Sequence, residues 1–259
     1  MAFERLHPGR PEWDAYYANH IHRYMFAADR LDGAGAVLDA ACGVGYGSHW
    51  LAGHGVGSVT GVDRDENALR IARETFPHER VRLVRDDCQT LGEAGRFGPF
   101  DAVVSFETLE HLPRPTEFLA RCRELLAPGG RLIVSTPNAR VTGGQGPQDW
   151  EYHEKEYTPA ELLAAAREAG FPNAELFGQC YTPIGRLRSA ARAEINRLRS
   201  NPFQRLGTWA QRVVRGRPAP GPALPEQLDD FEIVPFASAE ECDRLGPGGP
   251  FVLILCATL

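Results

Sequence analysis

The chain has 259 residues and a formal net charge of −6, and 43% of its residues are hydrophobic, enough to bury a full-sized core. It contains no run of about eighteen apolar residues and no charged-then-apolar leader, so the sequence predicts a cytoplasmic protein without a transmembrane segment. The six cysteines include no C-x-x-C pair, which argues against a zinc knuckle or a disulfide framework and favours reduced thiols.

Short β-rich runs alternate with helical patterns along most of the chain. An amphipathic helical segment is predicted within residues 1–35. The elements predicted after it, in chain order, are a strand at Ala36–Leu38, a helix from Ser48, a strand at Ser58–Val62, a helix at Glu66–Thr75, strands at Val81–Arg85 and Phe100–Ser105, a helix at Thr116–Leu126, a strand at Arg131–Ser135, a helix at Pro159–Ala169 with Thr158 as its N-cap, and strands at Ala174–Gly178, Phe231–Val234 and Phe251–Leu255. This alternation predicts an α/β, doubly wound and mostly parallel sheet within a single domain spanning residues 1–259.

A segment at residues 181–226 interrupts the alternation. Its stretch Arg186–Arg217 holds nine arginines and one acidic residue, a local charge of +8 on an otherwise acidic chain. Apolar residues keep helical spacing through the segment, with a break around Asn201. We interpret it as an arginine-rich helical insertion that serves as a lid, as a clamp for an anionic substrate, as a peripheral membrane contact through residues 184–217, or as a helix packed on the body or on the partner in a homodimer.

A glycine-rich turn follows the first predicted strand. Asp39 ends that strand, and Gly43 and Gly45 follow in a G-x-G-x-G pattern, where glycine lets the backbone adopt positive φ and approach a ligand. Asp63 ends the second strand, twenty residues after Gly43, where its carboxylate can accept hydrogen bonds from both hydroxyls of a ribose. Asp87 follows the third strand and lies near the expected adenine edge. These features predict a nucleoside-bearing ligand.

Five segments within residues 36–138 resemble, in order and spacing, the successive motifs of class I S-adenosylmethionine-dependent methyltransferases: VLDAACGVGYG, GVDRDENAL, LVRDDCQTL, FDAVVSFETLEHL and LLAPGGRLIVSTPN. The resemblance implies a Rossmann-like methyltransferase fold with a seven-stranded sheet and S-adenosyl-L-methionine as the cofactor. An NAD-dependent enzyme is the main alternative, but the G-x-G-x-G spacing and the P-G-G turn before the fifth strand favour the methyltransferase.

The resemblance also implies how the cofactor is held. In that family the counterpart of Asp39 binds the methionine ammonium, and that of Asp63 holds the ribose. The counterparts of Asp87 and Cys88 flank the adenine. The full set of predicted cofactor-binding residues is Asp39, Gly43, Gly45, Asp63, Arg64, Asp87, Cys88 and Ser105.

Two carboxylates and an imidazole follow the fourth predicted strand. If this segment forms a helical turn, Glu107, Glu110 and His111 lie on one face and can hold a divalent ion such as Mg²⁺ or Mn²⁺. The E-x-x-E-H spacing resembles the metal-binding motif of small-RNA 3′-terminal 2′-O-methyltransferases and of ubiquinone-pathway O-methyltransferases. In the RNA enzymes a T-P-N segment and an H-x-x-E-(aromatic)-T segment follow. Here 136–138 and 153–158 resemble them, with His153 in the ligand position.

The motif leaves three interpretations open. Glu107, Glu110, His111 and His153 hold a metal ion that lowers the pKa of the attacked hydroxyl. Alternatively, Glu107 shapes the acceptor pocket and His111 or His153 acts as a metal-free general base. The third interpretation gives these side chains structural roles only. In both chemical versions His111, Glu107 and His153 are the predicted catalytic residues, and their task is to deprotonate a hydroxyl.

The elements after the fifth strand resemble those of methyltransferases in bacterial glycan, glycolipid and secondary-metabolite pathways, including antibiotic biosynthesis. We therefore predict O-methylation of a sugar hydroxyl in a glycan, glycolipid, nucleotide sugar or glycosylated natural product. The alternatives are an RNA ribose 2′-O-methyltransferase, a small-molecule O-methyltransferase of quinone or phenol type, and a non-catalytic cofactor-binding subunit. RNA is not the expected partner, because the body of the chain is acidic and no separate RNA-binding module is recognised.

Overall fold

Eight strands form one sheet in the computed structural model, which describes residues 6, 8–9, 11–142, 153–199 and 227–259. Their bounds are Ala36–Ala40 (β1), Ser58–Asp63 (β2), Val81–Arg85 (β3), Phe100–Phe106 (β4), Leu126–Pro137 (β5), Glu175–Tyr181 (β6), Phe231–Phe236 (β7) and Val252–Thr258 (β8). Each of the eight β-rich runs found in the sequence corresponds to one of these strands.

The strand order is β3-β2-β1-β4-β5-β8-β6-β7. Strands β1 to β5 pair in parallel, whereas β8 is antiparallel to both β5 and β6, and β7 is antiparallel to β6. The predicted α/β, doubly wound and mostly parallel sheet is confirmed. The seven-stranded sheet that the family resemblance implies was wrong by one strand. β7 pairs along the outer side of β6 and adds an eighth strand at that edge.

Eight α-helices are present among the described residues. They are Pro11–Arg30 (α1), Tyr46–Gly53 (α2), Glu66–Thr75 (α3), Pro115–Leu125 (α4), Ala139–Thr142 (α5), Pro159–Glu168 (α6), Pro183–Arg199 (α7) and Ala239–Asp243 (α8). All but the short α5 and α8 correspond to helices that the sequence predicts. The predicted N-cap of α6 is confirmed. Thr158 Oγ1 accepts a hydrogen bond from Glu161 N, and the Glu161 carboxylate accepts one from Thr158 N, which completes a capping box.

The sheet has a hydrophobic core on each face. Residues of α1, α2 and α3 form one core, with Ile21 and Leu51 fully buried against the sheet. Residues of α4, α6 and α8 form the other, with Phe118 and Leu162 fully buried. The central strand β1 is therefore covered on both sides, which is the usual environment of a parallel strand.

Two predicted helical segments can be compared with the structure. The amphipathic segment near the start of the chain forms α1. The arginine-rich insertion begins with α7, while residues 200–226, where its predicted continuation lies, fall outside the described residues. Within the described ranges, no helix combines the length and the apolar character that crossing a bilayer requires.

Candidate functional site

The candidate site lies where the strand order of the sheet reverses. From β1 the chain crosses to β2 on one side, whereas β4 pairs with β1 on the other. In open α/β sheets, the carboxyl ends of the strands at such a reversal leave a crevice in which ligands bind. The predicted cofactor residues lie at or just after the carboxyl ends of β1 to β4, so the fold brings them to one edge of the sheet.

The glycine turn after β1 is in direct contact with the end of β2. The backbone N–H of Gly43 donates to Asp63 Oδ2 at 3.0 Å, and the N–H of Asp65 donates to Asp63 Oδ1 at 2.9 Å. Gly43 and Gly45 adopt φ values of 56° and 81°, in the region that glycine occupies without steric cost. The sequence predicts that the glycine turn and the end of β2 contact the same ligand. The hydrogen bond shows that the two elements are adjacent.

Asp39 lies beneath this turn with no exposed surface. Its two carboxylate oxygens accept hydrogen bonds from Ser48 Oγ at 2.6 Å and from Tyr24 OH at 3.1 Å. Burial raises the pKa of Asp39 to about 6, and the two hydroxyl donors oppose that rise. Each carboxylate oxygen has two lone pairs, so Asp39 can accept a further hydrogen bond from a donor group of a ligand.

Ser105 is fully buried at the end of β4, and its hydroxyl donates to the carbonyl of Ala40 at 2.8 Å. Ser105 thereby joins the ends of β1 and β4, the two strands that flank the crevice. Its hydroxyl proton is committed to this contact, so Ser105 supports the backbone beneath the crevice.

Cys88, Asp87 and Arg64 lie near Asp63 at the ends of β2 and β3. Burial raises the pKa of the Cys88 thiol to about 11, and the charges of Asp87 and Asp63 raise it further, whereas Arg64 lowers it. Asp87 and Arg64 are exposed, while Cys88 is half-buried. The charges of Asp63, Asp87 and Arg64 therefore all act on Cys88, which places the predicted adenosine-binding residues close together. The uncharged thiol of Cys88 offers a contact surface for a flat ring.

Glu107, Glu110 and His111 do not share one helical turn, so the condition for placing all three on one helix face is not met. The helical part is a short 3₁₀ turn over Leu109–His111, and Glu107 adopts a φ of 51°. Two contacts with Ser135 of β5 hold Glu107 in this conformation, since Glu107 N donates to the Ser135 carbonyl at 3.2 Å and Ser135 Oγ donates to Glu107 Oε1 at 2.8 Å. The chain therefore turns sharply at Glu107 before the 3₁₀ turn begins.

Within the described part of the chain, Glu110, His111 and His153 form a group that can hold a metal ion, with one candidate ligand atom from each residue lying within 4.8 Å of the others. Glu110 is 1% exposed, and its Oε2 accepts a hydrogen bond from Thr136 Oγ1 at 3.0 Å. Its Oε1 is buried without a hydrogen-bond partner among the described residues and lies 3.8 Å from His111 Nε2. Glu107, the fourth predicted ligand, is not a member of this group.

Burial raises the pKa of Glu110 well above its usual value, and the nearby negative charge of Glu107 adds to the rise. The positive charge of Arg23 and the hydrogen bond from Thr136 oppose this rise, but burial outweighs them. A cation bound beside the unpartnered oxygen would further stabilise the charged form.

Backbone hydrogen bonds place the segment that carries His153 beside Glu110. The N–H groups of Glu154 and Lys155 donate to the carbonyl of Glu110 at 2.7 and 3.3 Å. The imidazole of His153 lies 4.8 Å from that of His111 between ring centroids. Burial lowers the pKa of His153, and the neighbouring His111 lowers it further. His153 therefore lies beside Glu110 and His111 although it follows His111 by 42 positions in the sequence.

Arg23 of α1 is a candidate site residue that the sequence patterns did not predict. Its side chain is fully buried, Nη1 donates to Gln179 Oε1 at 2.7 Å, and Nη2 lies 3.8 Å from Glu107 Oε1. Its Nε and Nη2 have no hydrogen-bond partner among the described residues. Charged side chains of an amphipathic helix usually face water, so helical periodicity alone does not indicate this burial. A buried guanidinium with two unused donor groups indicates a site for an anion.

The chain is similar to proteins of one family. A family model described as a methyltransferase domain matches residues 12–176. A "probable S-adenosylmethionine-dependent methyltransferase" of Mycolicibacterium smegmatis is 30% identical over 249 residues, which cover 93% of this chain and 90% of the relative. A ubiquinone biosynthesis O-methyltransferase of Xanthomonas axonopodis pv. citri is 34% identical over 212 residues, which cover 72% of this chain and 86% of the relative.

A solved structure has a similar fold. It is a SAM-dependent methyltransferase of Thermotoga maritima, described as a possible histamine N-methyltransferase. The TM-score is 0.58 at 15% identity, and the match covers 95% of this chain and 94% of the other. At this identity the likeness concerns the fold alone.

The buried position of Asp39 predicts a pH-dependent contribution to stability. Its pKa of about 6 in the fold lies above the ordinary value of 3.8, so the folded state binds the proton more tightly than the unfolded state. The protonated form stabilises the fold at low pH, and this contribution is lost as pH rises from about 4 through about 6. The shift corresponds to about 3 kcal/mol.

Urea denaturation of the wild type and of Asp39→Asn between pH 4 and pH 8 measures this contribution. Asparagine stays neutral, so the free energy of unfolding of the wild type should fall relative to that of the variant as pH rises. Any change in hydroxyl contacts adds an offset that does not depend on pH. A difference that stays constant across the range would contradict the assignment.

Proposed function

The chain belongs to the S-adenosylmethionine-dependent methyltransferases, and from this membership we propose that it methylates a hydroxyl group of a small organic acceptor of phenol or quinol type. S-adenosylmethionine is its cofactor. The observation that carries the proposal is the convergence of Glu110, His111 and His153 beside the cofactor crevice, because transfer to a hydroxyl requires a group that manages its proton. The relative named for ubiquinone biosynthesis supports an acceptor of this class.

The cofactor is proposed to lie across the carboxyl ends of β1, β2 and β3. Asp63 accepts from the ribose hydroxyls, while Asp87 and Cys88 flank the adenine. At the other end of the crevice, Asp39 accepts from the methionine ammonium and Arg23 donates to the methionine carboxylate. The unpartnered Nε and Nη2 of Arg23 support this last contact. The bound cofactor supplies a methyl group activated by its sulfonium.

The acceptor hydroxyl is proposed to lie beside Glu110, His111 and His153. The unpartnered Oε1 of Glu110 and the two imidazoles form a donor set of one oxygen and two nitrogens, which suits Mn²⁺ better than Mg²⁺, because Mg²⁺ prefers oxygen ligands. A divalent ion held there would lower the pKa of a neighbouring hydroxyl. Glu107 orients Arg23 and borders the acceptor, in keeping with its ion pair at 3.8 Å. In the metal-free version, His111 or His153 accepts the proton directly.

Of the two relatives described above, one is named for ubiquinone biosynthesis and the other carries a general methyltransferase name. We therefore place the phenol or quinol acceptor ahead of the sugar acceptor that the sequence favours. The sugar acceptor stays a prediction.

The acceptor class can be tested with purified full-length chain and methyl-labelled S-adenosylmethionine. We expect label to transfer to catechols and hydroquinones, because two neighbouring or conjugated hydroxyls offer an acidic proton near the Glu110–His111–His153 group. Nucleotide sugars and RNA oligonucleotides are tested in parallel as alternative acceptors. Transfer of label to only one of these alternatives would replace the proposed acceptor class. Binding of the cofactor without transfer of label to any acceptor would contradict the proposed enzymatic activity.

The same assay resolves how the proton is handled. His111→Ala and His153→Ala should each lower kcat by roughly 100-fold or more while leaving cofactor affinity unchanged, a typical loss for a group that manages a proton. EDTA should abolish transfer and Mn²⁺ restore it if a metal acts at the site. Activity that resists EDTA but needs the histidines assigns them as general bases. Full activity in both variants would exclude these residues from the chemistry.

Binding of S-adenosylhomocysteine, measured by calorimetry, tests the proposed cofactor contacts. Arg23→Met and Asp63→Ala should each weaken binding by roughly 10- to 100-fold, because each removes a hydrogen bond that involves a charged group. Methionine keeps the apolar stem of Arg23, and circular dichroism should verify that each variant folds. Arg70→Met is the matched control, because Arg70 is exposed on α3 and pairs with Glu74. Unchanged affinity in both site variants would contradict the proposed position of the cofactor.

A further inference from the structure

We propose that Glu156 is a positioning residue for His153: its carboxylate accepts a hydrogen bond from Nδ1–H of that imidazole, which directs the lone pair of Nε2 to the acceptor or to a metal ion. The inference deepens the proposed function and rests on it, because it assigns a task at the same site. Glu156 has no predicted catalytic, cofactor or metal role in the sequence.

The geometry of the pair supports this assignment. Glu156 Oε1 lies 3.2 Å from His153 Nδ1, and the two side chains are 4% and 8% exposed. An ionised carboxylate can only accept hydrogen bonds, so the ring nitrogen facing it must carry the hydrogen. In a neutral imidazole the hydrogen on Nδ1 leaves the lone pair on Nε2. Glu156 thereby selects one of the two tautomers of His153.

The orientation of Glu156 does not depend on His153 alone. Its second oxygen accepts a hydrogen bond from the hydroxyl of Thr142 at the end of α5. Ala139 N donates to the carbonyl of Tyr157 at 3.0 Å, and Asn138 and Tyr157 form a β-bridge. These contacts join α5 to the segment that carries His153, so contacts within the chain hold the Glu156 carboxylate in place.

Backbone and side chain have separate tasks in this segment. The N–H groups of Glu154 and Lys155 bind the carbonyl of Glu110 and set the distance between the segment and the site. The side chains of those two residues are exposed, whereas that of Glu156 is buried against the imidazole. Glu156 therefore controls the ring of His153 without setting the position of the segment. Loss of such an outer partner commonly weakens metal affinity or activity by roughly 10- to 100-fold.

The tautomer can be read directly by NMR of the full chain labelled with ring-¹⁵N histidine, with the His153 signals assigned through His153→Gln. We expect the Nδ1–H tautomer in the wild type and a mixture of the two tautomers in Glu156→Ala. Glu156→Gln keeps the volume and an acceptor oxygen, so it should recover part of the wild-type population. Glu154→Gln is the matched control and should leave the signals unchanged. A tautomer mixture in the wild type, or an unaltered spectrum in Glu156→Ala, would overturn the proposal.

Titration with Mn²⁺ alone supplies a second readout that needs no acceptor. Glu156→Ala should bind Mn²⁺ about 10- to 100-fold more weakly than the wild type, with Glu154→Gln unaffected and Glu156→Gln in between. A wild type that binds Mn²⁺ while Glu156→Ala binds it equally well counts against the positioning role. A wild type that binds no Mn²⁺ removes the metal version of the proposed function, and the tautomer then decides the role of Glu156 by itself.

Discussion

The site depends on the hydrogen bond between Gly43 N and Asp63. It joins the ends of two parallel strands at the point where the backbone must leave the sheet, and it uses a backbone donor that the turn would otherwise leave unsatisfied. Because Asp63 also accepts from Asp65 N, the same carboxylate orients the start of α3. One buried side chain therefore sets the relative position of the glycine turn and of the helix that follows β2.

Two neighbouring residues near the carboxyl end of β5 bind the two glutamates of the site on opposite faces of the strand. Ser135 and Thr136 are neighbours in β5, and side chains of neighbouring strand residues point to opposite faces. Ser135 binds Glu107 and Thr136 binds Glu110, so the two carboxylates are anchored to opposite sides of the same strand end. Glu107 thus pairs with Arg23 of α1, while Glu110 groups with the two histidines. The i, i+3, i+4 spacing by itself does not reveal this separation.

The predictability of each feature follows from the range of the interactions that determine it. Strand positions, the glycine turn and the Thr158 cap depend on local patterns, and the sequence identified all of them. The sharp turn at Glu107 depends on Ser135, 28 residues away, and the burial of Arg23 depends on Gln179, 156 residues away. The count of seven strands came from the family resemblance, and the added edge strand β7 lies outside that pattern. Contacts of this range are set by tertiary packing, which periodicity does not report.

The buried guanidinium of Arg23 links the stability of the fold to the proposed cofactor contact. Its Nε and Nη2 make no hydrogen bond among the described residues, so burying this charge carries a desolvation cost that the carboxylate of Glu107, 3.8 Å from Nη2, helps to offset. A ligand carboxylate bound beside these donors, as proposed for the methionine end of the cofactor, would offset more of that cost. A neutral residue that stabilised the fold at this position would, on the same proposal, weaken the affinity for the cofactor.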